Sequence, residues 1–247
     1  MSLVGRRVLV TGGGTGLGAD LARGFTNVGA SVVIAGRRRE PLEEVAAATG
    51  AVVVVGDVTV EADVERMFAE AGAVDIVIAN AGAAESAPLT RTSLEMWQHL
   101  IDVNLTGTFL TLREGARQLR GRDWGRLITV ASTAGLRGYP YVSAYTAAKH
   151  GAVGLTRAIA AELAPTGVTA NALCPGYLDT EMTDRTIANI VAKTGRSREE
   201  ALQTLTSANP QGRLIEPAEV TAAALWLCGP GGDSINGQAI AIDGGEQ

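Results

Sequence analysis

Short runs of β-branched and aliphatic residues alternate with longer amphipathic stretches from one end of the chain to the other. That alternation limits the available folds more than any single motif. The β-rich runs are residues 8–10, 31–35, 52–55, 75–79, 127–131, 168–173 and 238–242. Between them apolar residues recur at helical spacing; Val64, Met67, Phe68 and Ala71, for example, follow i, i+3, i+4, i+7. Repeated strand–helix–strand units predict a parallel sheet covered by helices on both faces. Right-handed crossovers make it a doubly wound, Rossmann-type α/β sheet, with ligands bound beyond the carboxyl ends of the strands. No Pro/Ser-rich linker, low-complexity tract or repeat divides the 247 residues, so 1–247 reads as a single domain.

Composition removes several function classes. Hydrophobic residues are 46% and charged residues 19%, enough to bury a sizeable core. Lys plus Arg is 21 and Asp plus Glu is 26, a net charge of −5 that argues against a nucleic-acid backbone as main partner. Two cysteines, Cys174 and Cys228, can neither staple a chain of this size nor form a metal-ligand spacing, so no metal is expected. No apolar run approaches the ~20 residues needed to cross a bilayer. The first residues lead straight into a strand-like run with no room for a signal peptide, so a soluble cytoplasmic protein is expected.

One stretch breaks the alternation. Residues 177–211 carry no strand signal and are too long for a bare loop. Ile187, Ile190 and Val191 predict a helix ending near Gly195, and Ser197-Arg198-Glu199-Glu200 has the form of a capping box ahead of Leu202 and Leu205. The stretch is a helical flap after the sixth strand, either a lid over a binding site or a structural insertion.

After the first strand comes Thr11-Gly12-Gly13-Gly14-Thr15-Gly16-Leu17-Gly18, running into a helical pattern. Glycines there permit a tight turn and close approach of a pyrophosphate to N–H groups at a helix N-terminus. The frame is G-x-x-x-G-x-G at Gly12, Gly16 and Gly18, not G-x-G-x-x-G; a merely flexible turn is the alternative. Gly12, Gly14, Thr15, Gly16, Leu17 and Gly18 are the cofactor-contact candidates in this turn. The second strand ends Gly36-Arg37-Arg38-Arg39, with no carboxylate for a ribose 2′-hydroxyl. Guanidinium groups at Arg37 and Arg38 suit a 2′-phosphate, so NADP(H) is preferred, with NAD(H) as the alternative; the bland reading is a solvated helix start. Asp57, followed by Val58, is placed to accept from an adenine amino group or to cap a helix.

Tyr145 and Lys149 are four residues apart, on one face of a predicted helix. A free phenol has a pKa of about 10, and bringing it to ~7 takes roughly 4 kcal/mol of differential interaction, which a nearby ammonium favours. Ser132, just past a strand end, can donate a hydrogen bond to a carbonyl oxygen. Thr11 to Gly18, Asn80-Ala81-Gly82, Asn104, Ser132, Tyr145 with Lys149, and Pro175-Gly176 occur in the order and spacing of the short-chain dehydrogenase/reductase family, which the whole chain resembles. The resemblance implies a seven-stranded parallel sheet and hydride transfer between a nicotinamide and a ketone or secondary alcohol. It implies that Tyr145 is the general acid in reduction and base in oxidation. Lys149 lowers its pKa and binds the nicotinamide ribose, and Ser132 holds the substrate oxygen. Asn104 sits at a helix irregularity and keeps a water in the proton relay, while Asn80, Ala81 and Gly82 support the adenosine side. The backbone near Leu178 and the Thr180 hydroxyl orient the carboxamide, beside Pro175 and Gly176.

The text around residues 148–151 and 174–176, with the long flap, is most similar to 3-oxoacyl-thioester and polyketide ketoreductases and to 3-hydroxybutyrate dehydrogenases. Tyr139, Leu178, Met182 and Ile187 are the apolar substrate-pocket candidates beside Ser132 and Tyr145. Carrier-protein reductases often place basic residues before the strands at Leu127 and Val168. This chain has Asp123-Trp124 and Pro165-Thr166 there, with Arg120, Arg122 and Arg126 as partial substitutes, so a coenzyme A thioester or free small ketone stays open. His99 and His150 read as surface or packing residues, and Cys174 as a small buried hydrophobe. The helix from Ala147 to Leu163 is apolar on several sides and carries Gly151 and Gly154, which predicts packing against a neighbouring subunit. The family often forms tetramers through it, so a homotetramer is expected. The expected activity is an NADP(H)-preferring ketone reductase; the alternatives are an NAD(H)-linked catabolic hydroxy-acid or alcohol dehydrogenase and a non-catalytic nucleotide sensor.

Overall fold

A computed structural model describes residues 2–246. Strands β1 (Arg7–Thr11), β2 (Ser31–Gly36), β3 (Val52–Val55), β4 (Ile76–Ala79), β5 (Gly125–Val130), β6 (Val168–Pro175) and β7 (Ala239–Ile242) form one sheet in the order β3-β2-β1-β4-β5-β6-β7. Every pairing is parallel. The helices are α1 (Gly16–Asn27), α2 (Arg39–Thr49), α3 (Glu61–Ala71), α4 (Leu94–Ile101), α5 (Gly107–Leu119), α6 (Ser143–Leu163), α7 (Glu181–Thr194), α8 (Arg198–Thr206) and α9 (Pro217–Cys228).

The period of two along each strand separates the core into two layers. Val8, Val10, Ile34, Ile76, Ile78 and Ile128 face α1, α2 and α9, where Phe25, Leu42 and Leu227 meet them. Leu9, Val33, Val77, Leu127 and Ala170 point the other way, onto Met67 and Phe68 of α3, Leu112 of α5 and Ala160 of α6. Each such large side chain contributes about 1.5–3 kcal/mol on burial. The chain reverses its winding between β1 and β4, which opens a crevice at the carboxyl ends of these two strands.

The flap forms from local chemistry. Helix α7 stops at Gly195, which is left-handed at φ 70°, and α8 starts at Ser197, whose hydroxyl accepts from Glu200 N while the Glu200 carboxylate accepts from Ser197 N. Ile187, Ala201 and Leu205 form a small core of its own between the two helices.

At the opposite end of the sheet Arg126 and Arg122 are held by the protein itself, while Arg120 is exposed. Arg126 is buried, donating to Leu227 O at 2.9 Å and pairing with Asp233. Its guanidinium lies 4.4 Å from the centroid of Trp124, with Arg6 at 4.1 Å from the same ring. Arg122 pairs with Asp75 at 3.2 Å. Arg126 therefore cannot substitute for a carrier-docking residue, because β5 begins inside the core. Among the described residues no helix is long and apolar enough to cross a membrane.

Candidate active site

The glycine turn is built against the end of β4. Gly12 and Gly16 have φ of 67° and 51°, the left-handed region that glycine enters without penalty. A Cβ on Gly18 would lie 2.0 Å from Gly12 O, and one on Gly12 would lie 2.9 Å from Ala81 Cα. Asn80 Nδ2 donates to Thr11 O at 2.9 Å and Gly12 O at 3.3 Å, while Thr11 Oγ1 accepts from Asn80 N and Ala81 N at 3.1 and 3.2 Å. Helix α1 opens directly from this turn, and its N-cap residue Thr15 makes no side-chain capping bond. The first N–H groups of the helix are thus left for a ligand, and the side-chain-free cradle fits a dinucleotide pyrophosphate.

Around the cradle, Leu17 and Val58 are buried, and Gly14 packs beside Pro41 and Leu42. Gly36 ends β2, Arg37 is exposed beyond it, and Arg38 is the N-cap residue of α2. Arg37 Nη1 is 3.9 Å from Asp57 Oδ2. The other Asp57 oxygen closes a turn on Thr59, accepting from its N and Oγ1 at 2.9 and 2.8 Å. Asp57 is no helix cap: the N-cap of α3 is Val60. On the far side Gly176 N donates to Ile242 O, Leu178 bridges to Ile215, and the Thr180 methyl lies 3.3 Å from where a Gly16 Cβ would be.

The reactive side chains converge at the carboxyl end of β5. Ser132 is extended, and its Oγ accepts from Ala134 N at 3.1 Å to start a 3-10 turn over Thr133–Gly135. That turn lies so close to α6 that a Cβ on Gly135 would sit 2.8 Å from Lys149 O. Ser132 is thereby carried to the first turns of α6, beside the Tyr145 side chain. Lys149 is buried, donates from Nζ to Val130 O at 2.9 Å, and lies 5.6 Å from the Tyr145 ring centroid. Asn104 lies in a π-helical segment, Asp102–Thr106, between α4 and α5. Its Nδ2 donates to Ala83 O and Leu100 O at 2.8 and 3.0 Å, and its Oδ1 accepts from Ala83 N, which fixes the backbone just after Gly82.

The electrostatics differ from the sequence expectation. Burial pushes the Tyr145 phenol up to about 12, against a downward pull from the Ser132 hydrogen bond. Burial also pulls the Lys149 ammonium down to about 8. Desolvation is the largest cause of both shifts and keeps Tyr145 protonated at neutral pH.

The family model for short chain dehydrogenase matches residues 6–190. The chain is a short-chain dehydrogenase/reductase. This dehydrogenase/reductase is 35% identical over 253 residues to D-beta-hydroxybutyrate dehydrogenase of Cupriavidus necator, covering 98% of each chain. It is 32% identical to the enzyme of the same name from Rhizobium meliloti, over 97% of this chain and 98% of the relative. Among solved structures, a single-site variant of actinorhodin polyketide ketoreductase with NADPH superposes with a TM-score of 0.93 at 32% identity, over 98% of this chain and 97% of that one.

On the substrate side of the dehydrogenase/reductase, Met182 is exposed on α7, whereas Ile187 is turned into the flap core against α8 and is not open to the cleft. Its position on α7 faces the second helix, which the amphipathic pattern alone did not distinguish from a cleft. Tyr139 donates to Glu246 Oε1 at 2.6 Å, and Arg137 donates to Glu246 O at 2.9 Å and to its carboxylate at 2.7 Å. Neither Arg137 nor Glu246 stands out in the sequence; they are brought together only by the fold. The flap reaches the opposite rim through Asn189 to Ser86 Oγ at 3.4 Å and Lys193 to Ser86 O at 3.3 Å. His99 and His150 are exposed, His150 Nδ1 lying 2.9 Å from Thr146 O. Cys174 is buried, and burial pushes its thiol up to about 11.

Proposed function

We propose that the protein is an NADP(H)-preferring reductase, reversible in principle, that converts a ketone of the 3-oxoacyl-thioester type or similar into a secondary alcohol. The whole chain acts as one dinucleotide-binding catalytic domain, with residues 177–211 as the lid. The observation that carries this reading is the convergence at the carboxyl end of β5 of Ser132, on a turn packed against α6, with Tyr145 and the buried Lys149, whose Nζ lies 5.6 Å from the Tyr145 ring centroid. A nicotinamide dinucleotide bound in the glycine cradle supplies the hydride. Tyr145, protonated at neutral pH, delivers its proton to the carbonyl oxygen, and Ser132 donates a second hydrogen bond to the same atom. Lys149, anchored on Val130 O, offers a positive charge beside the phenolate that forms as the proton leaves. Asn104 holds the backbone at Ala83, where it keeps a water in the proton relay.

Gly12, Gly16 and Gly18 are the pyrophosphate cradle, with Asn80, Ala81, Gly82, Asp57 and Val58 toward the adenosine and Pro175, Gly176, Leu178 and Thr180 toward the carboxamide. Arg37 and Arg38, at the end of a β2 without a terminal carboxylate, support the 2′-phosphate preference. Tyr139 and Met182 flank the substrate. A homotetramer is supported by α6: Gly154, Arg157, Ala158 and Ala161 are exposed, and a Cβ on Gly154 would meet nothing within 4 Å, so that glycine has no role inside the subunit. Similarity to two D-beta-hydroxybutyrate dehydrogenases favours a second reading, an NAD-linked hydroxy-acid dehydrogenase using the same residues in reverse. Turnover of a panel of ketones and alcohols with each nicotinamide tests both readings. Tyr145→Phe should abolish reduction by at least about 10²-fold with dinucleotide binding retained; full activity in this variant refutes the proposed proton donor.

A further inference from the structure

Glu246 is built into the wall of the cleft. The Glu246 side chain is 3% exposed; Arg137 and the Tyr139 hydroxyl both donate to its carboxylate, and Arg137 donates as well to its backbone carbonyl. Its second carboxylate oxygen would lie 3.6 Å from a Cβ on Gly176, the residue that follows β6.

The loop that Glu246 holds is the one joining Ser132 to Tyr145. It is under local strain: Tyr141 has φ 69°, a conformation that a residue with a Cβ adopts at a cost. Its carbonyl is fixed by Ala87 N at 2.8 Å, which pins the loop at a second point. Arg137 is the cation on this wall. Its guanidinium stacks 4.8 Å from the Tyr139 centroid and is taken up by Glu246, so its charge is neutralised before any substrate arrives. The Tyr139 hydroxyl is likewise committed.

We infer that Glu246 is a positioning and specificity-determining residue: by holding Arg137 and Tyr139 it makes this wall of the cleft suit uncharged ketones, such as 3-oxo esters and thioesters, over free 3-oxo acids. The inference rests on the ketone-reductase reading above. A substrate carboxylate here finds the Arg137 cation already paired and the Tyr139 hydroxyl already donating, whereas an ester needs neither.

The test compares acetoacetate with ethyl acetoacetate, by calorimetric binding and by NADPH-dependent reduction, in the wild type, Glu246→Gln and Glu246→Gln with Arg137→Met. The wild type should prefer the ester. Glu246→Gln should narrow the ester-to-acid ratio by at least about tenfold, chiefly through KM for the acid, as Arg137 is released; a charge-assisted hydrogen bond supports a change of that size. The double variant should lose that gain, and Glu246→Asp, which keeps the charge, should keep the ester preference. Thermal unfolding checks that each variant is folded. A wild type that binds acid and ester equally, or a folded Glu246→Gln with an unchanged ratio, overturns the inference. Binding of the ester with no turnover refutes the reductase reading and leaves the binding preference standing; binding of neither compound overturns both.

Discussion

Substituting Gly18 by alanine separates the cradle's requirement for glycine from a general tolerance of small residues. The added Cβ would lie 2.0 Å from Gly12 O and 2.7 Å from Asn80 Nδ2. Carbon atoms do not approach a backbone oxygen that closely, so α1 and the turn must part by roughly 1 Å in a region packed like a crystal. Gly12 cannot yield the other way, because it is itself against Ala81 Cα, and Asn80 is tied to Thr11 O. Overpacking of this kind costs about 1–3 kcal/mol, which for a chain of this size lowers Tm by roughly 2–10 °C. The same displacement moves the N–H groups at the start of α1, so NADPH affinity should fall by at least about tenfold, the effect of about 1.4 kcal/mol. Gly36→Ala provides the comparison: its Cβ would meet Leu42 at 3.7 Å, an ordinary contact, and Tm should hold. Differential scanning fluorimetry and NADPH fluorescence titration read both quantities. If Gly18→Ala keeps its Tm within a degree or so and binds NADPH as tightly as the wild type, the reasoning from close approach is refuted.

The remaining expectations can be measured on the same preparation. With the Lys149 ammonium pulled down to about 8, its charge is present at neutral pH and lost as pH rises through that value, so kcat/KM for ketone reduction should decline above it. Alcohol oxidation should instead rise toward alkaline pH, because the Tyr145 phenol, pushed up to about 12, must give up its proton; a reduction profile flat to strongly alkaline pH would contradict the assignment. Gly36→Asp with Arg37→Ala should shift cofactor preference toward NADH, and an unchanged NADPH/NADH ratio of kcat/KM rules out the 2′-phosphate contact. Gly154→Ala should raise the Tm of a lone subunit by relieving a helix-interior cost of about 1 kcal/mol. Where α6 packs on a partner, the methyl should loosen the assembly, and gel filtration distinguishes the two outcomes.

The parts of the fold that local chemistry encodes were readable before any coordinates. All seven strands fall within two residues of their β-rich runs at each end, because a parallel strand covered on both faces must be continuously apolar. Gly195 and Ser197 stop α7 and start α8 through an αL glycine and a capping box, both short-range devices. Contacts between distant segments were not readable. Arg126 looks like a surface charge until Trp124 and the carbonyl of Leu227 enclose it. Glu246 meets Arg137 and Tyr139 across more than a hundred residues, with no periodicity to announce the pairing. Ile187 shows the limit within a helix, since spacing gives its apolar face but not the neighbour which that face meets. The relative ionisation of Tyr145 and Lys149 depends on how deeply both are buried, a quantity that the four-residue spacing does not carry.

The separate core of the flap has a consequence for how such an enzyme changes its diet. Because Ile187, Ala201 and Leu205 satisfy one another, α7 and α8 owe little of their cohesion to the sheet, and their crossing to the far rim depends on two weak polar bonds at Ser86. If the flap is the lid proposed above, new side chains on its cleft-facing surface can be tried without disturbing the layers that hold the glycine turn, and substrate range and folding are then written on different pieces of the molecule.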